Sequence, residues 1–403
     1  MVLIAVLASM TMALLGWPAA VLAEETIKIG VVCAMSPPGD AASGAELRKG
    51  FELAKRIVDE RGGIPGKQIQ LVYEDSQGIP EKGRAAVEKL ITQDKVAVIT
   101  GEHHSSVGLA EIEVAHRYHI PYVNTNCWAD AMRLKGYSEV FNVCINNSAV
   151  GKAAAEIIAA MNVKKVVGFA ENTDYGLGKA KEIKGYLEKI APQVSFEYVV
   201  IERDAKDFLP ILLPLKKDPP DMVVNIMLAP SAFMLMNQVY EQGLAPTKKT
   251  WFFDSVGVAG VPDFWNNVGE AAKYMIVFEL FHPSMQFTPS GQKLREYFFK
   301  QEGHDPNMQP LQAADSYFVI AEALKKAGSA DPDKLIPALA DLKMEGTRDI
   351  ITFAKEPGLF FQQWVNVPYV AYQITAVKQP KDKTNLLVGP GLKFSTDKLQ
   401  RPE

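Results

Sequence analysis

Short β-branched runs alternate along the chain with longer stretches whose apolar residues recur every three or four positions. Positions 27–33 predict a strand, and Leu47, Phe51, Ala54 and Val58 repeat at helical spacing across 45–60. Gly62 and Gly63 then stop the helix, as a left-handed cap would. A strand is expected at 68–74, and Pro80 opens a helix through Val87, Leu90 and Ile91. A strand at 97–100, a helix at 106–118 and a strand at 122–124 complete the series. This βαβα order implies a parallel sheet covered by helices on both faces.

A second series of the same kind begins near residue 147. Ser148 is placed to cap a helix running to 161, ahead of a strand at 165–170. Then come a helix at 178–189, a strand at 195–201, a helix at 209–217 and, after Pro219-Pro220, a strand at 222–227. A helix at 230–242, closed by Gly243, leads to a strand at 250–253. The remainder predicts a strand at 274–279, helices at 291–302, 309–327 and 333–341, and strand-like pieces near 369–377. These completing elements suit a chain that crosses back to its first unit rather than one that adds a third.

Composition alters this picture little, since 48% hydrophobic and 22% charged residues are ordinary for a globular chain of 403 residues. A formal net charge of −4 gives no electrostatic reason to expect nucleic acid or an anionic membrane surface. The first 23 residues are the exception, with no charged side chain and an apolar run from Val2 to Trp17. Small residues up to Ala23 stand directly before Glu24-Glu25, the pattern of a signal peptide cut after Ala23. No Lys or Arg precedes the apolar run, so an upstream start or an uncleaved anchor stays open as the alternative. Cys33, Cys127 and Cys144 match no metal spacing and read as small buried hydrophobes, with any pairing among them left open.

The first chemical candidate is Gly101-Glu102-His103-His104-Ser105-Ser106, between a strand and a helix. A helix N-terminus offers unpaired N–H groups, and two hydroxyls there suit a carboxylate; plain capping by Ser105 or Ser106 is the alternative. Adjacent His103 and His104 are expected to diverge, to line the rim or stay solvated, and not to share a metal.

Several stretches, in order, resemble the periplasmic Leu/Ile/Val-binding family of ABC-transporter receptors. They are Ile27-Lys28-Ile29-Gly30-Val31-Val32 with Ala34-Met35-Ser36, Gly62-Gly63-Ile64-Pro65-Gly66-Lys67, and Glu74-Asp75-Ser76-Gln77-Gly78 before Pro80. Val98-Ile99-Thr100-Gly101, Ser105-Ser106, His119-Ile120-Pro121-Tyr122-Val123, Asp174-Tyr175-Gly176 and Asp207-Phe208 follow, the match covering roughly 26–355. The resemblance implies an α/β fold of two doubly wound parallel-sheet lobes joined by three crossovers, a Venus flytrap (type I periplasmic binding protein). Crossovers near 145, 280 and 350 are expected, so that 24–145 with 280–350 form one lobe and 146–279 with 351–403 the other.

By that resemblance Ser105 falls where the family binds a ligand α-carboxylate. Ser106, His104, Met35 and Asn126 are expected beside it, and Tyr175 reaches in from the second lobe. Trp128 stands at a family threonine, trading a hydroxyl for a broad apolar face. Leu228 and Val256 stand where the family holds an ammonium with an aromatic and a glutamate, leaving Asp254 as the nearest substitute. The expected ligand is therefore a small apolar carboxylate, aromatic acids included; the alternative is a branched-chain or other hydrophobic amino acid. The mature protein is expected in the periplasm, outside the cytoplasmic membrane, and monomeric, with ABC permease and ATPase subunits of a membrane transporter as partners; reporting to a sensor protein is the alternative class.

Nothing favours an enzyme. Gly176-Leu177-Gly178 is only a fragment of a dinucleotide fingerprint, and the chain holds neither a phosphate loop nor a Gly-x-Ser-x-Gly elbow. No cofactor is implied, and an apparent export signal stands where a repressor would need a DNA-binding helix pair.

Overall fold

A computed structural model describes residues 25–389 and 393–403. The predicted export segment, 1–23, lies outside the described residues. The first half builds β1 (Glu25–Cys33), α1 (Ala41–Glu60), β2 (Lys67–Asp75), α2 (Pro80–Lys89), β3 (Val98–Gly101), α3 (Ser105–Arg117), β4 (Tyr122–Asn124), α4 (Ala131–Leu134) and β5 (Val140–Asn142). These strands form one parallel sheet in the order β2-β1-β3-β4-β5.

The chain then passes to α5 (Asn147–Ala160), β6 (Lys165–Glu171), α6 (Asp174–Ile190), β7 (Ser195–Ile201), α7 (Leu209–Lys217), β8 (Met222–Ile226), α8 (Ser231–Glu241), β9 (Trp251–Asp254), α9 (Phe264–Asn267) and β10 (Ile276–Glu279). It returns to lay α10 (Pro289–Glu302) and α11 (Met308–Ala327) against α1, followed by α12 (Pro332–Ala340) and the hairpin of β11 (Lys343–Glu345) and β12 (Ile350–Thr352). A last passage delivers β13 (Val370–Gln373) and β14 (Asn385–Val388) antiparallel to the edge of the second sheet, whose order is β14-β13-β10-β9-β8-β6-β7. Gln363 still bridges Asn142 of β5, so the chain stays beside the first sheet beyond 350 before this last passage.

The central strands β3, β8, β9 and β10 are buried at every position, which is why they read as mostly apolar runs rather than alternating ones. Gly62 and Gly63 take positive φ values of 95° and 61°, so the left-handed stop after α1 is real. All three cysteines are buried and free. Among the described residues no helix is long and apolar enough to cross a membrane.

Several helix starts differ from expectation, α1 by four residues, and two more bear on the site. α5 is capped by Asn146, whose side chain accepts from Ala149 N at 3.0 Å, while the Ser148 hydroxyl donates to Asp130 at 2.7 Å. α6 begins at Asp174, four residues before the expected start, because Thr173 caps it through Gly176 N at 3.2 Å. Two glycines in one turn argue for a loop by propensity. Here they are needed for packing: a Cβ on Gly176 would stand 2.2 Å from the Glu171 carbonyl oxygen. Tyr175 is thereby in the first turn of a helix, aimed at the first lobe.

Two glycine substitutions test these backbone assignments. Gly101 has φ +113° and a Cβ there would meet Val32 O at 2.0 Å, so Gly101→Ala is expected to cost more than about 2 kcal/mol in urea unfolding. Gly185, inside α6 with nothing within 4 Å of an added Cβ, should behave oppositely, Gly185→Ala stabilising by about 0.5–1 kcal/mol.

Candidate ligand-binding cleft

The corner between β3 and α3 is organised by Glu102. Its own backbone takes φ +41° after Gly101, and its N–H donates to Val32 O at 2.5 Å. One carboxyl oxygen accepts from His103 N and His104 N, both at 2.9 Å, and from His104 Nδ1 at 2.8 Å. The other accepts from the Ser76 hydroxyl at 2.5 Å. His104 Nε2 in turn accepts from Asp40 N at 3.3 Å. That network assigns His104 the neutral Nδ1–H tautomer.

The two histidines neither diverge nor reach solvent, contrary to the expectation from adjacency. The left-handed turn at Glu102 folds both rings to one side, with centroids 4.0 Å apart and 6% and 4% exposure. Burial drives the pKa of each well below the ordinary histidine value; the proximity of His104 adds to this for His103, and that of Arg203 for both. Glu102, His103 and His104 bring possible metal-ligand atoms within 4.8 Å. Yet the nearer carboxyl oxygen is spent on three donors and His104 is bonded at both nitrogens, so His103 alone has electron pairs to offer. Neither ring nitrogen of His103 makes a hydrogen bond of good geometry; the Glu102 carboxyl, 3.8 Å from Nδ1, and the Asp40 backbone stand nearest and oppose the fall in its pKa.

His103 faces a narrow cleft that opens to solvent, about 430 Å³ with its open mouth included. The first sheet's side contributes Asp40, Ser43, His103, Asn126, Trp128, Met308 and Gln309; the second contributes Tyr175, Leu228, Val256, Val258 and Val261. The loops after β1, β3 and β4 thus meet the loops after β6, β8 and β9. The cavity lies beyond the C-terminal strand ends of both sheets, where open α/β folds bind ligands.

Five of the ten candidate residues line this space: Asn126, Trp128, Tyr175, Leu228 and Val256. Asn126 bridges two neighbours, donating to Gln309 at 2.8 Å and accepting from the Trp128 indole N–H at 2.6 Å. The Trp128 and Tyr175 rings meet edge to face at 5.8 Å across the lobes. The buried Tyr175 hydroxyl has no partner. The other five candidates do not line the cavity. Ser105 does not cap α3, because its hydroxyl accepts from Ala129 N at 3.1 Å. Ser106 accepts from Asp174 N of the other lobe at 3.2 Å. His104 is the strut between Glu102 and Asp40, and Met35 N is tied to Asp75 at 2.8 Å. Asp254 lies behind the wall, accepting from Asn225 at 3.1 Å and from Val256 N and Ala259 N, each at 3.2 Å.

Lys179 went unnoticed in the sequence. It lies one turn beyond Tyr175 on α6, a four-residue spacing that puts both on one helix face. Fully buried, it donates to the Ser255 carbonyl, with its ammonium 5.5 Å from the Trp128 ring centre and 5.8 Å from that of Tyr175. Burial pulls its pKa down to about 7, opposed by Asp254, whose own pKa burial pushes up to about 6. Asp40 and Ser43 were also missed, although Asp-x-x-Ser before a helix is a capping signal; Asp40 accepts from Ser43 N at 3.1 Å and from its hydroxyl at 2.7 Å. At the cleft rim Arg203 donates to Gly78 O at 2.6 Å and Asn307 to Gly260 O at 3.0 Å, closing one lobe on the other together with the Ser106 bond.

A family profile described as periplasmic binding protein matches residues 26–373. The chain belongs to the periplasmic binding protein family. This binding protein is 26% identical over 297 residues to an amino acid binding protein of Pseudomonas aeruginosa, covering 73% of this chain and 77% of the relative. Its fold superposes on a leucine-binding protein from Thermotoga maritima with a TM-score of 0.79 at 21% identity, over 90% of this chain and 98% of the other. A solute-binding protein of an ABC transporter from Rhodopseudomonas palustris, in complex with 3,4-dihydroxybenzoic acid, gives 0.75 at 21% identity over 86% and 93% of the two chains. The family is one of substrate-binding receptors for transporters and not of enzymes.

The buried lysine makes the binding protein's stability depend on pH. Between about pH 7 and the free-lysine value near 10.4, the unfolded chain holds a proton at residue 179 that the folded chain has shed. Stability from this group therefore rises with pH across that window. Urea unfolding should show wild type gaining on Lys179→Met by up to about 1.4 kcal/mol per pH unit. A difference that does not change with pH would mean that Lys179 stays charged in the folded protein.

Proposed function

We propose that this periplasmic binding protein is the receptor of an ABC transporter of the branched-chain-amino-acid type, capturing a small apolar carboxylate, aromatic in the leading case, between its closing lobes. The observation that carries the ligand reading is the second-lobe wall. Leu228 and Val256 present no charge there, and Asp254 is turned away and committed to three donors. An ammonium buried against that wall would go uncompensated, at a cost of several kcal/mol. The edge-to-face rings of Trp128 and Tyr175 offer apolar aromatic surface instead. Proteins of the same fold from Rhodopseudomonas palustris hold 3,4-dihydroxybenzoic acid and benzoate.

A hydrophobic amino acid is the second reading, and Asp40 on the first-lobe wall favours it. There an ammonium would have to share a carboxyl already taken by both donors of Ser43. Export with cleavage after Ala23, a monomeric state and delivery to permease and ATPase subunits complete the proposal. We assign 24–145 and 280–350 to the first lobe and 146–279 and 351–403 to the second, except that the Asn142–Gln363 bridge supports keeping 351–364 with the first. Ligand contacts are proposed for Asn126, Trp128, Tyr175, Leu228 and Val256, with Ser105 supporting the cavity through Ala129. Ligand bridging both lobes favours the closed state by its higher affinity for it, and the permease reads that shape.

Calorimetric titration with benzoate, 4-hydroxycinnamate, leucine and phenylalanine tests the ligand class. Tight binding of an aromatic acid is expected, with leucine at least about 100-fold weaker, the equivalent of one unpaired buried charge at roughly 3 kcal/mol. Tight leucine binding without aromatic-acid binding overturns the reading. Trp128→Ala should weaken the bound acid about 10- to 100-fold by removing 1.5–3 kcal/mol of apolar contact. Ser105→Ala should cost less, because its hydroxyl serves Ala129 and not the cavity.

A further inference from the structure

We infer that His103 is the polar anchor of the cavity, and that an anionic ligand binds there together with one proton taken up by the His103 imidazole. This rests on the carboxylate reading above and goes beyond it by naming the group and the ion that accompanies the ligand.

Buried polar groups in folded proteins are nearly always paired, so an unpaired one at a cavity wall calls for an occupant. In this cleft the Gln309 amide is bonded through its oxygen to Asn126, and the other polar side chains fall into two sets. Glu102, His104, Asp40, Asn126, Glu171 and Asp254 all spend their polar atoms on protein partners. His103, through both ring nitrogens, and Tyr175, through its hydroxyl, do not, and both residues line the same space from opposite lobes. A ligand carboxylate spanning them would satisfy His103 from one lobe and Tyr175 from the other.

Charge balance adds the proton. Glu102 and His104 flank His103 on its own loop, Asp40 faces it from the loop before α1, and Arg203 approaches from beyond β7. Arg203 is drawn to the Gly78 carbonyl at the rim, and His104 is fixed neutral by Glu102 on one side and Asp40 N on the other. A carboxylate entering a dry site beside Asp40, whose own ionisation burial already disfavours, brings in negative charge that is costly unless a positive charge comes with it. Neutral His103 has a free ring nitrogen to receive that proton, and burial without a partner is what keeps it neutral before the ligand arrives. With the proton, both nitrogens become donors, and the ion pair replaces two unpaired groups.

The test is titration of benzoate at about pH 8, where an ordinary histidine is neutral, in phosphate and in Tris, whose ionisation heats differ widely. Wild type should show a buffer-dependent heat equal to about one proton taken up per benzoate, and affinity falling about tenfold per pH unit above pH 7. His103→Gln should bind about 10- to 100-fold more weakly, with no buffer dependence and a flat pH profile. Tyr175→Phe should weaken binding while leaving the proton count near one. Lys179→Met should also keep it, because the proton goes to His103; a count that vanishes in Lys179→Met and persists in His103→Gln overturns the assignment. Benzoate binding with equal corrected heats in both buffers overturns the proton coupling alone, since the wild type needs no variant to fold. No binding of benzoate or 4-hydroxycinnamate overturns the carboxylate reading and this inference together.

Discussion

The cleft hangs on the Glu102 carboxyl. Four donors converge on it: two backbone N–H groups, a histidine ring and the Ser76 hydroxyl from the neighbouring loop. Gly101 lets the chain turn tightly under Val32, and Glu102 accepts a left-handed backbone that few side chains tolerate, held there by its own carboxyl bonds. Such a network constrains strongly, because loss of any partner leaves a polar atom stranded in a dry interior. It also separates two adjacent histidines into different roles. One becomes a strut to Asp40; the other is left facing empty space.

The second lobe builds its half of the cavity by the same logic. Thr173 caps α6 early, Gly176 lets that helix pack against the Glu171 carbonyl, and Tyr175 is carried to the cleft. One turn on, Lys179 is buried between the aromatic pair and Asp254, while Glu171 takes Leu228 N at 3.0 Å and the Thr173 hydroxyl at 3.0 Å. The charged groups behind the walls are thus tied to fixed partners, and the surface of the cavity carries an unpaired imidazole, an unpaired phenol, the Gln309 amide and a set of apolar faces. Direct bonds between the rims, from Arg203, Ser106 and Asn307, hold the lobes closed around it.

Much of this was legible in the chain. The βαβα alternation, the double-glycine stop after α1, the buried runs of β8 and β9 and the spans of α7 and β7 all follow from periodicity and turn chemistry. Five candidate contacts from the resemblance line the cavity. Ser105 and Ser106, chosen for their place at a helix start, have hydroxyls used by Ala129 and Asp174, and neither position betrays a partner that lies far away in sequence. His103 and His104 are expected to diverge as neighbours on an extended or turning backbone, yet after the left-handed Glu102 both rings pack together in the interior.

By itself the sequence determined two α/β series, because burial repeats with the helix or strand period, and an apolar leader; the resemblance implied the rest, a pocket without the family's ammonium partners. The tertiary structure alone decided which polar atoms are free. A hydroxyl or imidazole is available to a ligand only if no distant group has claimed it, and hydrogen-bond partners such as Ala129, Asp174 or Asp40 are set by the folded path of the chain. That is why the anchor moved from a serine to His103, two residues away in sequence and on the open side of the same turn.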